Sequence, residues 1–132
     1  MDKQIIVGIT GASGVAYALR LLDCLEEAGC HVHLVVSALG RRLLGDEGDV
    51  HALTAENLIG RPSERLYFYD FDALHCRLAS GSFLTDGMVI CPCSSNTLGA
   101  VAAGRADNLL TRAAMVTLKE ARRLILVHRE IP

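Results

Sequence analysis

The segment of residues 8–14, with glycines at positions 8, 11 and 14, is the part of the sequence best suited to chemistry. It follows the apolar run of residues 5–7 and precedes a helical pattern, which places it between a strand and a helix. Glycines let the backbone approach an anion, the first helical N–H groups are unpaired, and the Ser13 hydroxyl adds a donor. The spacing is neither the Gly-x-Gly-x-x-Gly of dinucleotide sites nor a P-loop. The turn therefore predicts a phosphate cradle of another kind.

Polar residues also follow the later strands that the apolar pattern predicts. Ser37 follows the second strand, and His128, Arg129 and Glu130 follow the last one. The strand at residues 88–91 is followed by Ser94, Ser95, Asn96 and Thr97. In a parallel α/β sheet, ligands bind outside the carboxyl ends of the strands, so all these residues are candidates for one site.

The residue after the second strand restricts the ligand. A nicotinamide dinucleotide enzyme places Asp or Glu there to hold the ribose hydroxyls, whereas this sequence has Ser37. A single phosphate can be held by serine hydroxyls and helix-start N–H groups. The sequence therefore favours a mononucleotide, and flavin mononucleotide (FMN) fits.

Each of these features also has a structural interpretation. The glycines at 8 and 14 can serve close helix–sheet packing, and residues 94–97 can be an ordinary helix cap. Arg129 and Glu130 can form a surface ion pair, and Glu47 can be a solvated loop charge. Their shared position at one predicted sheet edge favours a binding site over these alternatives.

Alternating strand and helix patterns predict an α/β fold: a three-layer, doubly wound parallel sheet of Rossmann-like type, in a single domain of residues 1–132. Strands are expected at residues 5–7, 31–36, 66–69, 88–91 (stopped by Pro92) and 124–127. Helices are expected at residues 15–28, 38–44 (broken by the segment 45–49), 55–59 and 97–104, and after a cap at Asp107.

Composition excludes several classes of protein. With 132 residues, a hydrophobic content of 51% and a net charge of -2, the chain suits one well-buried domain without a basic surface for nucleic acid. We expect a cytoplasmic protein, because no export signal or membrane-length apolar run is found. Five cysteines suit reduced, buried thiols better than a disulfide framework. His31 and His33 share a strand face, but no third ligand is evident, so no metal site is expected.

Eight segments, in the same order along the chain, resemble the UbiX-type flavin prenyltransferases, some of which carried names as phenylacrylic or hydroxybenzoate decarboxylase subunits. These are residues 8–14, Ser37, and residues 80–83, 88–94, 97–98, 108–114, 118–120 and 129–132. Residues 48–79 match loosely. Family members continue past the segment 129–132, and that continuation carries a Tyr and an Arg for the prenyl phosphate. The resemblance therefore implies that part of the phosphate site lies outside this sequence.

The resemblance implies a reaction in which a dimethylallyl group passes from dimethylallyl monophosphate to reduced FMN. The prenylated FMN is the cofactor of a separate UbiD-type decarboxylase, and members of the family assemble as dodecamers. Matched by motif, the residues that would hold FMN are Gly11, Ala12, Ser13, Ser37, Ser94, Ser95, Asn96, Thr97 and Arg129. Those that would serve catalysis are Ser13, Glu47, Lys119 and Glu130, and no metal is required.

Two alternatives remain open at this point. Related FMN-dependent cysteine decarboxylases share the fold and use a catalytic His, for which His75 is the only candidate in a comparable region; a partly buried structural role suits it better. Alternatively, the chain is a non-catalytic FMN-binding accessory subunit of an aromatic acid decarboxylase.

Overall fold

The computed structural model describes residues 2–130 as five parallel strands with helices on both faces of the sheet. The strands are β1 (Gln4–Ile9), β2 (His31–Val36), β3 (Leu66–Tyr69), β4 (Gly87–Cys93) and β5 (Arg123–His128). The helices are α1 (Val15–Glu27), α2 (Ala38–Gly48), α3 (Ala55–Ile59), α4 (Ser95–Ala102) and α5 (Leu109–Lys119), with a 3₁₀ turn at Arg77–Ala79. The strand order β3-β2-β1-β4-β5 confirms the Rossmann-like, doubly wound fold.

Each face of the sheet has its own apolar core. On one face α1, α2 and α3 pack on alternate residues of β1 and β2, with Leu22, Leu34 and Leu44 fully buried. On the other, α5 and the 3₁₀ turn bury Ile90 and Leu110. Because both faces are covered, the open parts of the sheet are its edges and the ends of its strands.

Two helix predictions were wrong. Helix α2 does not break at residues 45–49; it continues to Gly48 and ends at Asp49 in the left-handed conformation. A Cβ atom at Gly48 would lie 2.8 Å from the Val15 side chain, so this glycine allows α1 and α2 to approach closely. Helix α5 is capped by Asn108, not Asp107, because the Asn108 side chain accepts a hydrogen bond from the Thr111 N–H at 2.9 Å.

One strand prediction was also wrong, because β4 continues through Pro92 to Cys93. The pairing of β4 with β5 is irregular between Ile90 and Cys93, which is where a proline can be accommodated in a strand. The Pro92 carbonyl instead accepts two hydrogen bonds from Thr10, the residue that follows β1. As a result β4 delivers Ser94 and its neighbours directly to the end of the sheet.

The remaining expectations on cysteine and histidine can be compared with the structure. All five cysteines are free thiols, but only Cys91 and Cys93 are buried. Burial raises the pKa of Cys93 to about 11, so this thiol is unreactive at neutral pH. His33 stacks on Tyr67 with ring centroids 4.7 Å apart. In residues 2–130 no group of three His, Cys, Asp or Glu side chains is arranged to hold a metal, and none of the helices has the length and apolarity to cross a membrane.

Candidate active site

The carboxyl ends of β1 and β4 lie side by side at the centre of the sheet, where the strand order reverses. From β1 the chain continues to β2 on one side, and from β4 to β5 on the other. The loop after β1 leads into α1, and the loop after β4 leads into α4. We call the space between residues 10–14 and 93–97 the central crevice. Two helix N-termini meet there, which is the usual ligand site of such sheets.

Thr10 joins the two loops of the central crevice. Its side chain is buried, and its hydroxyl donates to the Pro92 carbonyl at 2.8 Å and accepts from the Ser94 N–H at 2.9 Å. Its own N–H donates to the same carbonyl at 3.2 Å. These bonds link positions 82 and 84 residues apart in the sequence, so Thr10 sets the width of the crevice.

The N-terminus of α1 is formed by Gly14, whose φ of 122° is unfavourable for any residue with a side chain. No side chain of its own loop caps this helix; instead Glu47 approaches from α2, with one oxygen 3.4 Å from the N–H groups of Gly14 and Val15. The prediction of Glu47 as a loop charge was therefore wrong. It is an exposed helical residue whose carboxylate reaches the crevice.

The N-terminus of α4 is more completely capped. The Ser94 hydroxyl accepts from the Thr97 N–H at 3.2 Å, and the Glu130 carboxylate accepts from the Ser95 N–H at 2.9 Å. The Ser95 hydroxyl lies 2.8 Å from Nε2 of His128. The hydrogen bond from the Ser95 backbone is the main reason why the pKa of Glu130 lies below its usual value. Glu130 is therefore ionised at neutral pH.

Arg129 lies across the crevice from Glu130. Its backbone N–H bonds to the Cys93 carbonyl at 3.0 Å, and its Nε donates to the Ser13 carbonyl at 3.1 Å. The guanidinium carbon is 4.8 Å from the centre of the Tyr17 ring, which is cation–π geometry. Arg129 and Glu130 do not pair with each other, so the surface ion-pair interpretation was wrong.

The structure thus brings together most of the residues predicted from the sequence. Those at the crevice are Gly11, Ala12, Ser13, Glu47, Ser94, Ser95, Asn96, Thr97, Arg129 and Glu130. Ser37 also lies at this edge, after β2, but its hydroxyl caps α2 by accepting from the Gly40 N–H at 3.0 Å. The structural and functional interpretations of Ser37 are compatible, since a hydroxyl has both donor and acceptor capacity.

Lys119 is not at the crevice. It ends α5, four residues before the start of β5, where Arg123 pairs with the first residue of β4. It therefore lies at the amino edge of the sheet, by which we mean the end at which the strands begin. The crevice lies at the opposite end, and the length of a seven-residue strand, roughly 20 Å, separates the two. His75 is exposed in the turn after β3, so its predicted partial burial was wrong.

Sequence reasoning missed the positions of Thr10 and Tyr17. Thr10 follows a buried strand directly, and a buried polar residue at that point is a signal that pattern analysis can detect. Tyr17 carries no such signal, because its contact with Arg129 joins residues 112 positions apart.

The chain can be compared with known proteins at this point. The Flavoprotein family model matches residues 1–132. The flavin prenyltransferase UbiX of Thermoplasma acidophilum is 45% identical over 129 residues, which cover 98% of this chain and 67% of that protein. The chain spans 60% of the length of a second relative, a probable UbiX-like flavin prenyltransferase of Bacillus subtilis that is 41% identical over 129 residues and covers 98% of this chain.

Two solved structures are closely similar. The crystal structure of AnUbiX (PadA1) in complex with FMN and dimethylallyl pyrophosphate has a TM-score of 0.89 and 36% identity, covering 100% of this chain and 67% of that one. A dodecameric FMN-dependent UbiX-like decarboxylase from Escherichia coli O157:H7 has a TM-score of 0.87 and 38% identity, covering 98% and 68%. By sequence and by structure, the chain belongs to the Flavoprotein family and, within it, to the UbiX-type flavin prenyltransferases.

Proposed function

We propose that residues 1–132 form one FMN-binding domain of a flavin prenyltransferase, which transfers a dimethylallyl group from dimethylallyl monophosphate to reduced FMN. The observation that carries this proposal is the central crevice, where Arg129, which has no carboxylate partner within residues 2–130, and the ionised Glu130 lie beside two helix N-termini. A phosphate ester and a proton-transfer step need these two kinds of group. The named relatives support the chemistry.

The residues of the crevice suit the phosphate and ribityl parts of FMN. Gly14 presents no side chain, and the N–H groups of Ser13 and Asn96 donate no hydrogen bond within residues 2–130. The Ser13 hydroxyl likewise has no partner in that part of the chain. Serine hydroxyls, unpaired N–H groups and an arginine are the donors that a phosphate monoester requires.

Bound reduced FMN would supply the nucleophilic flavin atoms that receive the dimethylallyl group. Arg129 would bind a phosphate at the crevice, and if this is the prenyl phosphate, it would stabilise the charge that grows there as the allylic C–O bond breaks. Glu130, ionised at the start of α4, would accept a proton at its carboxylate. Ser13 would hold the flavin edge through its free hydroxyl, and Glu47 would bear the second carboxylate at the same end of the sheet.

Lys119 fits this scheme if a second copy of the chain supplies it. It lies at the amino edge, away from the crevice of its own chain, and a dodecameric relative is 38% identical. We therefore propose a homo-oligomer in which Lys119 of one copy approaches the crevice of another. The prenylated product would pass to a separate UbiD-type decarboxylase. The free thiols support a reducing compartment such as the cytoplasm.

The proposal is tested by incubating the chain anaerobically with reduced FMN and dimethylallyl monophosphate and measuring flavin masses. We expect FMN enlarged by one dimethylallyl unit, and no such product with dimethylallyl alcohol, which lacks the phosphate leaving group. FMN should also raise the melting temperature, because it binds the folded state. Absence of this thermal shift would contradict the proposed site. FMN binding without product would support the FMN site and contradict prenyl transfer by residues 1–132 alone.

A second prediction concerns Thr10. The nearly isosteric change Thr10→Val removes the hydroxyl that bonds Pro92 and Ser94. The Ser94 N–H then has no partner within residues 2–130, whereas the Pro92 carbonyl keeps its hydrogen bond from the Thr10 N–H. We expect the free energy of unfolding to fall by about 1–3 kcal/mol and FMN affinity to fall about fivefold or more. Chemical denaturation and flavin fluorescence titration measure the two effects.

Thr117→Val is the matched control. Thr117 is also buried, but its hydroxyl bonds the Ala113 carbonyl at 2.7 Å within α5, away from the crevice. This variant should lose some stability and keep FMN affinity. Equal FMN affinities in Thr10→Val and Thr117→Val would show that Thr10 is an ordinary core residue.

A further inference from the structure

We propose that Tyr17 is a positioning residue, whose ring holds the Arg129 guanidinium so that its two terminal nitrogens bind a phosphate monoester. This inference rests on the proposed function, and the phosphate belongs either to FMN or to dimethylallyl monophosphate. Tyr17 lies in the first turn of α1 with 58% of its surface exposed. A large aromatic side chain this exposed beside a binding crevice is poorly explained by core packing.

Arg129 is constrained by three contacts. Its backbone is fixed to Cys93, its Nε is bonded to the Ser13 carbonyl, and its guanidinium carbon lies 4.8 Å from the centre of the Tyr17 ring. The absence of a side chain at Gly14 makes this path possible, since a Cβ atom there would lie 2.9 Å from Cδ of Arg129. The arginine is therefore held along its length.

The terminal nitrogens of Arg129 remain available. Within residues 2–130 neither of them donates a hydrogen bond, and no carboxylate oxygen lies within 4.0 Å of the guanidinium. The two nearest acidic candidates have other contacts: Glu130 caps α4, and Glu47 approaches the start of α1. An arginine whose Nε is already used presents a pair of parallel N–H donors, which suits two oxygens of one phosphate.

The ring contributes because an exposed arginine otherwise samples many rotamers. Binding restricts that freedom, and the lost entropy weakens affinity unless the side chain is already ordered. The Tyr17 ring orders the guanidinium through a cation–π contact and accepts no hydrogen bond from its terminal N–H groups, which leaves those groups free. A hydrogen-bonding or acidic neighbour would order it equally well, but would occupy those groups.

The test compares Tyr17→Phe, which keeps a ring, with Tyr17→Leu, which removes it. For each variant we would measure the Kd of FMN and of riboflavin, and the KM of dimethylallyl monophosphate on the FMN-loaded protein. We expect Tyr17→Leu to weaken binding of a phosphate ligand about twofold to fivefold, and Tyr17→Phe to remain near wild type. Riboflavin, which lacks the phosphate, should bind all three proteins equally.

The ligands whose binding is weakened in Tyr17→Leu identify the phosphate that Arg129 contacts. A higher Kd for FMN with an unchanged riboflavin Kd assigns Arg129 to the cofactor phosphate, and a higher KM with an unchanged FMN Kd assigns it to the prenyl phosphate. Unchanged binding in Tyr17→Leu would overturn the inference, as would equal losses for FMN and riboflavin. Wild-type protein that binds no flavin would overturn the proposed function itself, which is a separate result.

Discussion

Replacing Glu130 by glutamine is expected to lower prenyl transfer by at least about a hundredfold while FMN affinity changes little. The glutamine side chain has the same shape, and its carbonyl oxygen can still accept the hydrogen bond from the Ser95 N–H that caps α4. It cannot accept a proton. Single-turnover formation of prenylated FMN and the Kd of FMN, measured on the same preparation, separate the chemical step from binding.

The state of Glu130 gives the pH dependence of this reaction. Because the Ser95 hydrogen bonds lower the pKa of Glu130, its carboxylate remains a proton acceptor at pH values where an ordinary glutamate becomes protonated.

Glu64→Gln is the matched control for Glu130→Gln: Glu64 is exposed and lies between α3 and β3, away from the crevice. If Glu130→Gln retains half of the wild-type turnover, Glu130 is a helix cap and nothing more.

The same variant tests whether sites form between copies of the chain. Glu130 lies at the carboxyl edge of the sheet and Lys119 at the amino edge, so one chain does not bring them together. If Lys119 acts in a neighbour's site, Glu130→Gln and Lys119→Ala chains are each inactive alone. After co-refolding, random mixing should restore up to about a quarter of the activity. No recovery in mixed oligomers would place Lys119 outside the site.

The fold could be predicted from the sequence because its strands are short apolar runs between strong turn signals. The residues of β2 and β3 were predicted at their observed bounds, 31–36 and 66–69. The α2 prediction failed at Gly45 and Gly48, where low helix propensity suggests a break. In the structure, Gly48 stays helical because α1 packs against it, and a sequence pattern carries no information about that neighbour.

Part of the candidate site could also be predicted from the sequence. Residues that follow parallel strands must meet at one edge, so the shared position of residues 11–14, Ser94 and Arg129 could be predicted from the sequence. What could not be predicted is which group each side chain contacts. Glu47 reaches α1 from a helix that was expected to have ended, and Glu130 binds the start of α4 instead of Arg129. The contacts of these two side chains depend on distances between loops, and the spacing of residues along the sequence does not determine those distances.

His33 is expected to make the protein less stable as the pH falls from neutral to about 4. The side chain is 1% exposed, and burial is the main cause that lowers its pKa to about 4, followed by the charges of Arg77 and His31. A neutral ring with its proton on Nε2 fits the hydrogen bonds around His33. Arg77 donates to the Tyr69 hydroxyl, that hydroxyl donates to Nδ1 of His33, and Nε2 donates to Gln4 at 2.6 Å.

The direction of this pH dependence follows from proton binding by the folded and the unfolded chain. Between about pH 6.5 and pH 4 the unfolded chain protonates this histidine while the folded chain does not, so the unfolded state gains stability as the pH falls. The contribution of His33 to the free energy of unfolding is fully present above the ordinary pKa of histidine, and roughly 3 kcal/mol of it is lost by pH 4. Asp23 and Glu26, whose pKa values are lowered chiefly by hydrogen bonds from Arg61, lose their contribution only at lower pH.

His33→Gln should remove this dependence, because glutamine does not titrate and can still bond to Gln4 or Tyr69. Its free energy of unfolding, measured by denaturant titration from pH 7 to pH 4.5, should vary less than that of the wild type, whatever its absolute stability. His51→Gln is the control for replacing a histidine by glutamine, since His51 is exposed and lies 2.8 Å from Asp49 at the surface. Parallel slopes for His33→Gln and wild type would mean that the buried ring is protonated in the folded protein, in conflict with the hydrogen bond that it accepts from Tyr69.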